Sequence, residues 1–150
     1  MMKNISGKNN EEELIKAIAI VRKDLENVVE KGRCKFYSGH LVNELIKRNV
    51  PSRLINSLDL GLDYEHEFVL IPKNDIDGGY FLADLTFSQF QSDSNLFTKL
   101  ISDGYFPIGD VELTVYLNTI SHEGVKTIYS PDDLFFATVD SIKKQSGMSR

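Results

Sequence analysis

The chain has 150 residues, 41% of them hydrophobic, which is enough to bury one sizeable core, so we expect a single domain over residues 1–150. Acidic side chains number 22 against 17 basic ones, and the formal charge of −5 disfavours nucleic acid and anionic lipid as partners. The sequence has no apolar run long enough to cross a bilayer and no apolar signal core near its start, so we expect no membrane span.

Two helices are predicted in the first third of the chain. Residues 9–32 open with asparagines and acids, end at a glycine and predict a helix of about 20 residues. Its apolar stripe consists of Leu14, Ile18, Val21, Leu25 and Val28. A second helix is predicted to begin near Cys34 and to end before Pro51, with an apolar stripe of Leu41, Leu45 and Ile46.

Short strands are predicted to follow these helices. Segments 52–60, 66–72 and 79–87 are rich in β-branched and aromatic residues, and the turn sequence PKNDIDGG predicts that the last two form a hairpin. Next come a short helix ending at Gly104 and a segment, 109–121, with helical or strand character. A serine-capped helix is then predicted to begin at Pro131. This order of elements indicates an α+β fold.

Three polar residues lie at the ends of these predicted elements. Cys34, the single cysteine, cannot form an internal disulfide, and the N-terminus of a helix lowers the pKa of a thiol from its usual value of about 8.5. His66 begins one strand of the hairpin and Asp84 ends the other, so their side chains can meet at one rim of the sheet. A carboxylate there would orient the imidazole, whose second nitrogen could take the proton of the thiol.

Each of these residues also has a simpler interpretation. A lone cysteine is commonly a buried apolar residue. A histidine at a strand edge is commonly a solvated or capping side chain, and an aspartate after a strand is commonly a turn residue. The chain order Cys34, His66, Asp84 favours catalysis instead, because each residue lies at the end of an element where a thiol–imidazole–carboxylate triad needs it. A metal site formed by Cys34, His40 and His66 lacks a second cysteine or a ligand-spaced pair, so we expect no metal and no cofactor.

The same order of thiol, histidine and acid resembles the papain-like and transglutaminase-like cysteine enzymes. The segments EHEFVLI and GGYFLADLTFSQF are most similar in pattern to the deamidase and protease domains of bacterial toxins and effectors, over about positions 32 to 90. The Gly32-Arg33-Cys34 stretch distantly resembles a motif of arylamine N-acetyltransferases. It lacks their second glycine, however, and the chain is too short for the extra domain that binds coenzyme A.

This resemblance implies a papain-like core with a helix that begins at the nucleophile and a small antiparallel sheet. It implies that Cys34 is the nucleophile, His66 the general base and acid, and Asp84 the orienting carboxylate. Papain-like proteases place an oxyanion-binding glutamine before the cysteine, where this sequence reads NVVEKGR. Effector deamidases have a comparable glutamine just after the acid, which makes Gln89 the candidate, although it could equally be an exposed turn amide.

Two classes of function are compatible with these residues. The first is a hydrolase or acyltransferase acting on a protein amide: a glutamine deamidase or transglutaminase of toxin or effector type, or a cysteine protease of the same fold. Its partner would be a protein substrate, such as a host protein with a glutamine that is modified. The second is a non-catalytic adaptor with a papain-like fold. The chain is expected in the cytoplasm, or secreted into a host or target cell without a classical signal peptide.

Overall fold

The fold combines helices with one antiparallel sheet. The computed structural model describes residues 10–26, 33–74, 78–90 and 95–136, without the side chains of Arg33 and Cys34. The helices are α1 (Asn10–Asp24), α2 (Arg33–Lys47), α3 (Thr98–Asp103), α4 (Asp110–Thr119) and α5 (Pro131–Phe136). The strands are β1 (Arg53–Asn56), β2 (Glu67–Pro72), β3 (Tyr80–Ala83) and β4 (Tyr105–Ile108). Short 3₁₀ turns lie at Ser57–Leu60, Phe87–Phe90 and Asn95–Phe97.

The four strands form an antiparallel meander in the order β1-β2-β3-β4. The hairpin of β2 and β3 pairs Val69 with Ala83 and Pro72 with Tyr80, as the turn sequence predicted. The edge strand β4 contains Pro107, which edge positions tolerate because proline cannot donate to a sheet ladder.

Both faces of the sheet are buried, so the central strands read as continuous apolar runs. On one face Val69, Ile71 and Phe81 pack against α1 and α2. On the other, Phe68, Leu70 and Leu82 pack against residues of α4 and of the 3₁₀ turns. The helices therefore lie in two layers with the sheet between them, and α2 and α4 lie on opposite faces.

Most of the predicted elements are present, with four differences. The strands predicted over 52–60 and 79–87 are shorter, because β1 ends at Asn56, where a 3₁₀ turn begins, and β3 ends at Ala83. The described part of α1 ends at Asp24 rather than near Gly32, and residues 27–32, including Val28, lie outside the described residues. In α2 the prediction for Ile46 was wrong: this side chain is 62% exposed, since it follows the buried Leu45 by one residue and projects to another side of the helix. Residues 105–108 form β4, a strand that the sequence pattern did not predict.

The segment 109–121 forms helix α4, which resolves the ambiguity between helix and strand. The side chain of Glu112 accepts a hydrogen bond from the backbone N–H of Gly109 (2.9 Å), which satisfies one unpaired donor at the start of the helix. Helix α3 ends before Gly104, and α5 begins at Pro131, both as predicted. The predicted continuation of α5 beyond residue 136 lies outside the described residues.

Candidate active site

The hairpin brings His66 and Asp84 together. Continuing the register of β2 and β3 by one residue sets Phe68 opposite Asp84, so His66 lies one diagonal step away on the same face. The two side chains are in hydrogen-bonding contact, with His66 Nε2 at 2.7 Å from Asp84 Oδ2. Because an ionised carboxylate only accepts, the proton of this hydrogen bond is on Nε2. The predicted meeting of these two residues is thus present in the structure.

Asp84 accepts hydrogen bonds at both carboxylate oxygens. Besides His66, Oδ2 accepts from the hydroxyl of Tyr116 at 2.6 Å. Oδ1 accepts from the backbone N–H of Thr86 at 3.1 Å and from its hydroxyl at 3.4 Å. Since the side chain of Asp84 is almost completely buried, these donors replace the water that a carboxylate would otherwise bind.

The main chain of His66 is fixed by a buried serine. Ser57 Oγ accepts from the N–H of His66 at 2.8 Å and donates to the carbonyl of Tyr64 at 2.5 Å. The N–H of Ser57 in turn donates to the carbonyl of His66 at 2.8 Å. These contacts fix the backbone of the histidine immediately before β2.

Aromatic rings surround the histidine. Phe90 meets the His66 ring edge to face at 4.7 Å between centroids, and Tyr64 packs on Phe90 in the same manner at 5.8 Å. The imidazole itself has no exposed surface. Water is therefore excluded from the His66–Asp84 hydrogen bond, which strengthens this contact in comparison with an exposed pair.

The first turn of α2 lies beside the segment that carries His66. Cys34 is the second residue of this helix, and its side chain lies outside the described residues. One residue later, Lys35 Nζ lies 3.1 Å from the carboxylate of Glu65, and Ser38 Oγ donates to the carbonyl of Glu67 at 3.3 Å. Hydrogen bonds from Asn56 and then Lys35 lower the pKa of Glu65, so that carboxylate is ionised at neutral pH. Glu65 and Glu67, on either side of His66, are thus bonded to the helix that begins at the thiol. The His66 ring itself lies on the other face of the sheet, where Asp84 accepts from Tyr116 of α4.

Gln89 lies on the 3₁₀ turn that follows Asp84. Its side chain is exposed, and its amide Nε2 donates to Thr86 Oγ1 at 3.3 Å. Thr86 also contacts the carboxylate of Asp84, so a short chain of polar contacts connects the predicted oxyanion residue to the predicted acid. The role of Gln89 in binding an oxyanion stays a prediction.

Sequence reasoning missed three residues of this site: Ser57, Thr86 and Tyr116. Thr86 lies two residues after the acid, where serine and threonine commonly form local turns with an aspartate, so its contact had a local signal. Ser57 and Tyr116 come from other elements. Their contacts depend on the packing of the 3₁₀ turn after β1 and of α4, for which the sequence has no local signal.

No protein-family model, curated protein or solved structure matches this chain. Among residues 10–26, 33–74, 78–90 and 95–136, no three histidine, cysteine, aspartate or glutamate side chains are grouped so that they could bind a metal ion. In that same part of the chain, none of the helices has the length and apolar character needed to span a membrane.

Proposed function

We propose that this chain is a thiol-dependent enzyme with a papain-like core that acts on a protein amide. Cys34 is the nucleophile, His66 the general base and acid, and Asp84 the carboxylate that orients the imidazole. The observation that carries the proposal is the buried hydrogen bond between His66 and Asp84 at one end of the sheet. The first turn of α2 contacts the same end of the sheet from its other face, so the thiol would have to reach the imidazole around that end. A buried, water-excluded pair of this kind fixes one tautomer of the imidazole.

The reaction follows from these roles. His66 Nδ1 takes the proton of Cys34, and the thiolate forms a bond to the carbonyl carbon of the amide. The imidazolium then returns the proton to the leaving nitrogen as the C–N bond breaks, which leaves a thioester. Water attacks the thioester with His66 as base, and the acid product and free thiol are released. For a glutamine side chain the sum is glutamine plus water to glutamate plus ammonia, a gain of about 1 Da.

The burial of His66 limits how a substrate could reach this site. Since the imidazole has no exposed surface, a substrate carbonyl would contact Cys34 rather than the ring. The exposed amide of Gln89 could stabilise the oxyanion after turning away from Thr86, together with a backbone N–H at the start of α2. None of these steps needs a cofactor.

Glutamine deamidation or transglutamination is the reaction that we propose first, because the glutamine five residues after Asp84 matches the pattern of the toxin and effector deamidases. The alternative within the same chemistry is proteolysis. The substrate in each case is a protein segment that can place a carbonyl at the first turn of α2. Which of these reactions occurs is decided by what attacks the thioester and which amide is bound.

Intact-mass analysis of candidate proteins after incubation with the chain tests this proposal. Deamidation adds about 1 Da for each modified glutamine, transfer to an added amine joins that amine to the substrate, and proteolysis produces fragments. Cys34→Ala and His66→Ala should abolish the product. His40→Ala is the matched control, because His40 is bonded to Asp24 at a partly exposed position (2.9 Å) and should leave the rate unchanged.

The non-catalytic alternative predicts a different result with a simpler probe. Iodoacetamide should alkylate an activated Cys34 rapidly near neutral pH, and His66→Ala should slow that reaction strongly. If alkylation of the folded chain is slow and unaffected by His66→Ala, the chain is not an enzyme of this kind, and its His66–Asp84 pair is a structural element of the core.

A further inference from the structure

A tyrosine from a distant helix completes the surroundings of Asp84. Tyr116 lies on α4, is fully buried, and donates its hydroxyl proton to Asp84 Oδ2 at 2.6 Å. The same oxygen accepts from His66 Nε2 at 2.7 Å. One carboxylate oxygen therefore joins the imidazole on the hairpin to a phenol on the helix layer behind it.

The ring of Tyr116 is closely packed on several sides. Phe68 meets it edge to face at 5.1 Å, Phe87 stacks on it at 5.5 Å, and Phe97 packs edge-on at 6.3 Å. A ring confined in this way has few other rotamers, so its hydroxyl is directed at Asp84 by packing alone. The phenol is therefore preorganised as a donor.

Three donors reach Asp84 without the participation of His66. They are the hydroxyl of Tyr116 and the backbone N–H and hydroxyl of Thr86. These donors hold the carboxylate in one orientation independently of the imidazole. Asp84 should thus orient and charge-balance an imidazolium.

We infer that Tyr116 is a positioning residue that acts through Asp84 to fix the Nε2-protonated form and the orientation of His66. This inference rests on the proposed function, since it matters for activity only if His66 serves Cys34. Tyr116 would contact neither substrate nor thiol. Its effect would be to keep the carboxylate in one orientation while His66 changes charge.

The test compares Tyr116→Phe with the matched variant Tyr129→Phe. Tyr129 is also fully buried in the same core cluster, but its hydroxyl donates to the carbonyl of Leu60 at 3.2 Å. Two quantities are measured in each variant: the solvent exchange of the His66 Nε2 proton by NMR, and the rate constant for alkylation of Cys34 by iodoacetamide. The chain has only 3 histidines, so the resonance that disappears in His66→Ala identifies the ring.

We expect the Nε2 proton of Tyr116→Phe to exchange roughly tenfold faster or more, and alkylation to slow by roughly three- to tenfold. Tyr129→Phe should leave both quantities within a factor of two of their values in the unmodified chain, even if its thermal stability falls as far as that of Tyr116→Phe. Such a loss of stability alone would not change the exchange of one histidine proton selectively.

Three outcomes overturn the inference. Equal behaviour of Tyr116→Phe and Tyr129→Phe, with alkylation still slowed by His66→Ala, refutes the positioning role and leaves the proposed function intact. If His66→Ala has no effect on alkylation, both are refuted. Should Tyr116→Phe fail to fold, replacement of Tyr116 by 3-fluorotyrosine, a stronger donor, is expected to move the Nε2 proton resonance upfield, and an unmoved resonance would refute the inference.

Discussion

Replacing Asp84 by asparagine perturbs the site with almost no change of shape. The amide supplies one acceptor oxygen and one NH₂ donor, whereas the carboxylate accepts at both oxygens. If the NH₂ group takes the place of Oδ2, it faces His66 Nε2 and the hydroxyl of Tyr116. The hydroxyl can rotate, and the imidazole can become an acceptor only by moving its proton to Nδ1. In the Asp84→Asn variant, His66 would then be protonated on the nitrogen that must accept the proton of Cys34.

The structure sets the size of two effects. A wrong tautomer and the loss of the countercharge to the imidazolium should reduce amide turnover by roughly 10²- to 10⁴-fold. Stability should fall as well, by about 1–3 kcal/mol, because the variant disturbs a site where four hydrogen bonds converge on a buried carboxylate. In a chain of this length that corresponds to a fall in Tm of roughly 2–12 °C.

The assay combines alkylation kinetics, a turnover assay and NMR. In Asp84→Asn we expect slow alkylation of Cys34, and ¹⁵N shifts of the His66 ring that show a proton on Nδ1 rather than Nε2. Asp132→Asn is the control. The exposed carboxylate of Asp132 also accepts a hydrogen bond from a tyrosine, the hydroxyl of Tyr80 at 2.6 Å, but it lies on α5, away from His66. It should leave both readouts unchanged.

One result would refute the reasoning about Asp84. If Asp84→Asn retains activity within a factor of two and the proton of His66 stays on Nε2, the carboxylate does not orient a catalytic imidazole. It would then be only a buried turn residue that satisfies the N–H of Thr86.

Three further predictions concern the oxyanion, a turn and the response to alkaline pH. Gln89→Ala should lower amide turnover by roughly 10²- to 10³-fold and leave alkylation by iodoacetamide unchanged, since alkylation forms no oxyanion; equal loss in both assays would contradict the role. Gly104→Ala should destabilise by about 2–3 kcal/mol in urea unfolding, because φ is 85° and a new Cβ would clash with the side chain of Leu85. Gly78→Ala, also at positive φ but in open space, should cost only about 1 kcal/mol, and similar losses in the two variants would show that the contact is unimportant. Burial, and then the hydrogen bond that its hydroxyl donates to Asp132, raise the pKa of Tyr80. The resulting contribution to stability is complete below the pKa of an unfolded tyrosine, about 10, and is lost as the pH rises through the higher pKa of the folded state. The stability difference between the unmodified chain and Tyr80→Phe should therefore shrink from pH 8 to pH 11, and a constant difference would contradict this.

The hairpin and the meeting of His66 with Asp84 could be predicted because both depend on local information. The turn sequence fixes which strands pair, and strand alternation then decides which side chains share a face. The register is two residues from direct opposition of 66 and 84, and a diagonal contact results. Helix α2 was predictable for the same reason, since apolar spacing and Pro51 define its extent.

The rest of the site depends on contacts between distant segments. Helix α4 has apolar residues on several sides, so periodicity did not distinguish helix from strand, and the contact of Tyr116 with Asp84 could not be inferred. Strand β4 was missed because it is four residues long and contains Pro107, which a sequence pattern treats as a break. Ser57 lay within the predicted strand 52–60, whereas in the structure it begins a 3₁₀ turn and its hydroxyl accepts from the backbone N–H of His66.

Alkylation of Cys34 by iodoacetamide at pH 6 tests the central claim most directly. An ordinary thiol, with a pKa of about 8.5, is less than about 1% thiolate at this pH. Because the chain has a single cysteine, the same chain unfolded in urea supplies the reference rate for an unactivated thiol. We predict that the folded chain reacts at least tenfold faster than this reference and that His66→Ala removes the difference. A folded chain that reacts no faster than the unfolded one, and that is unaffected by His66→Ala, would contradict the account.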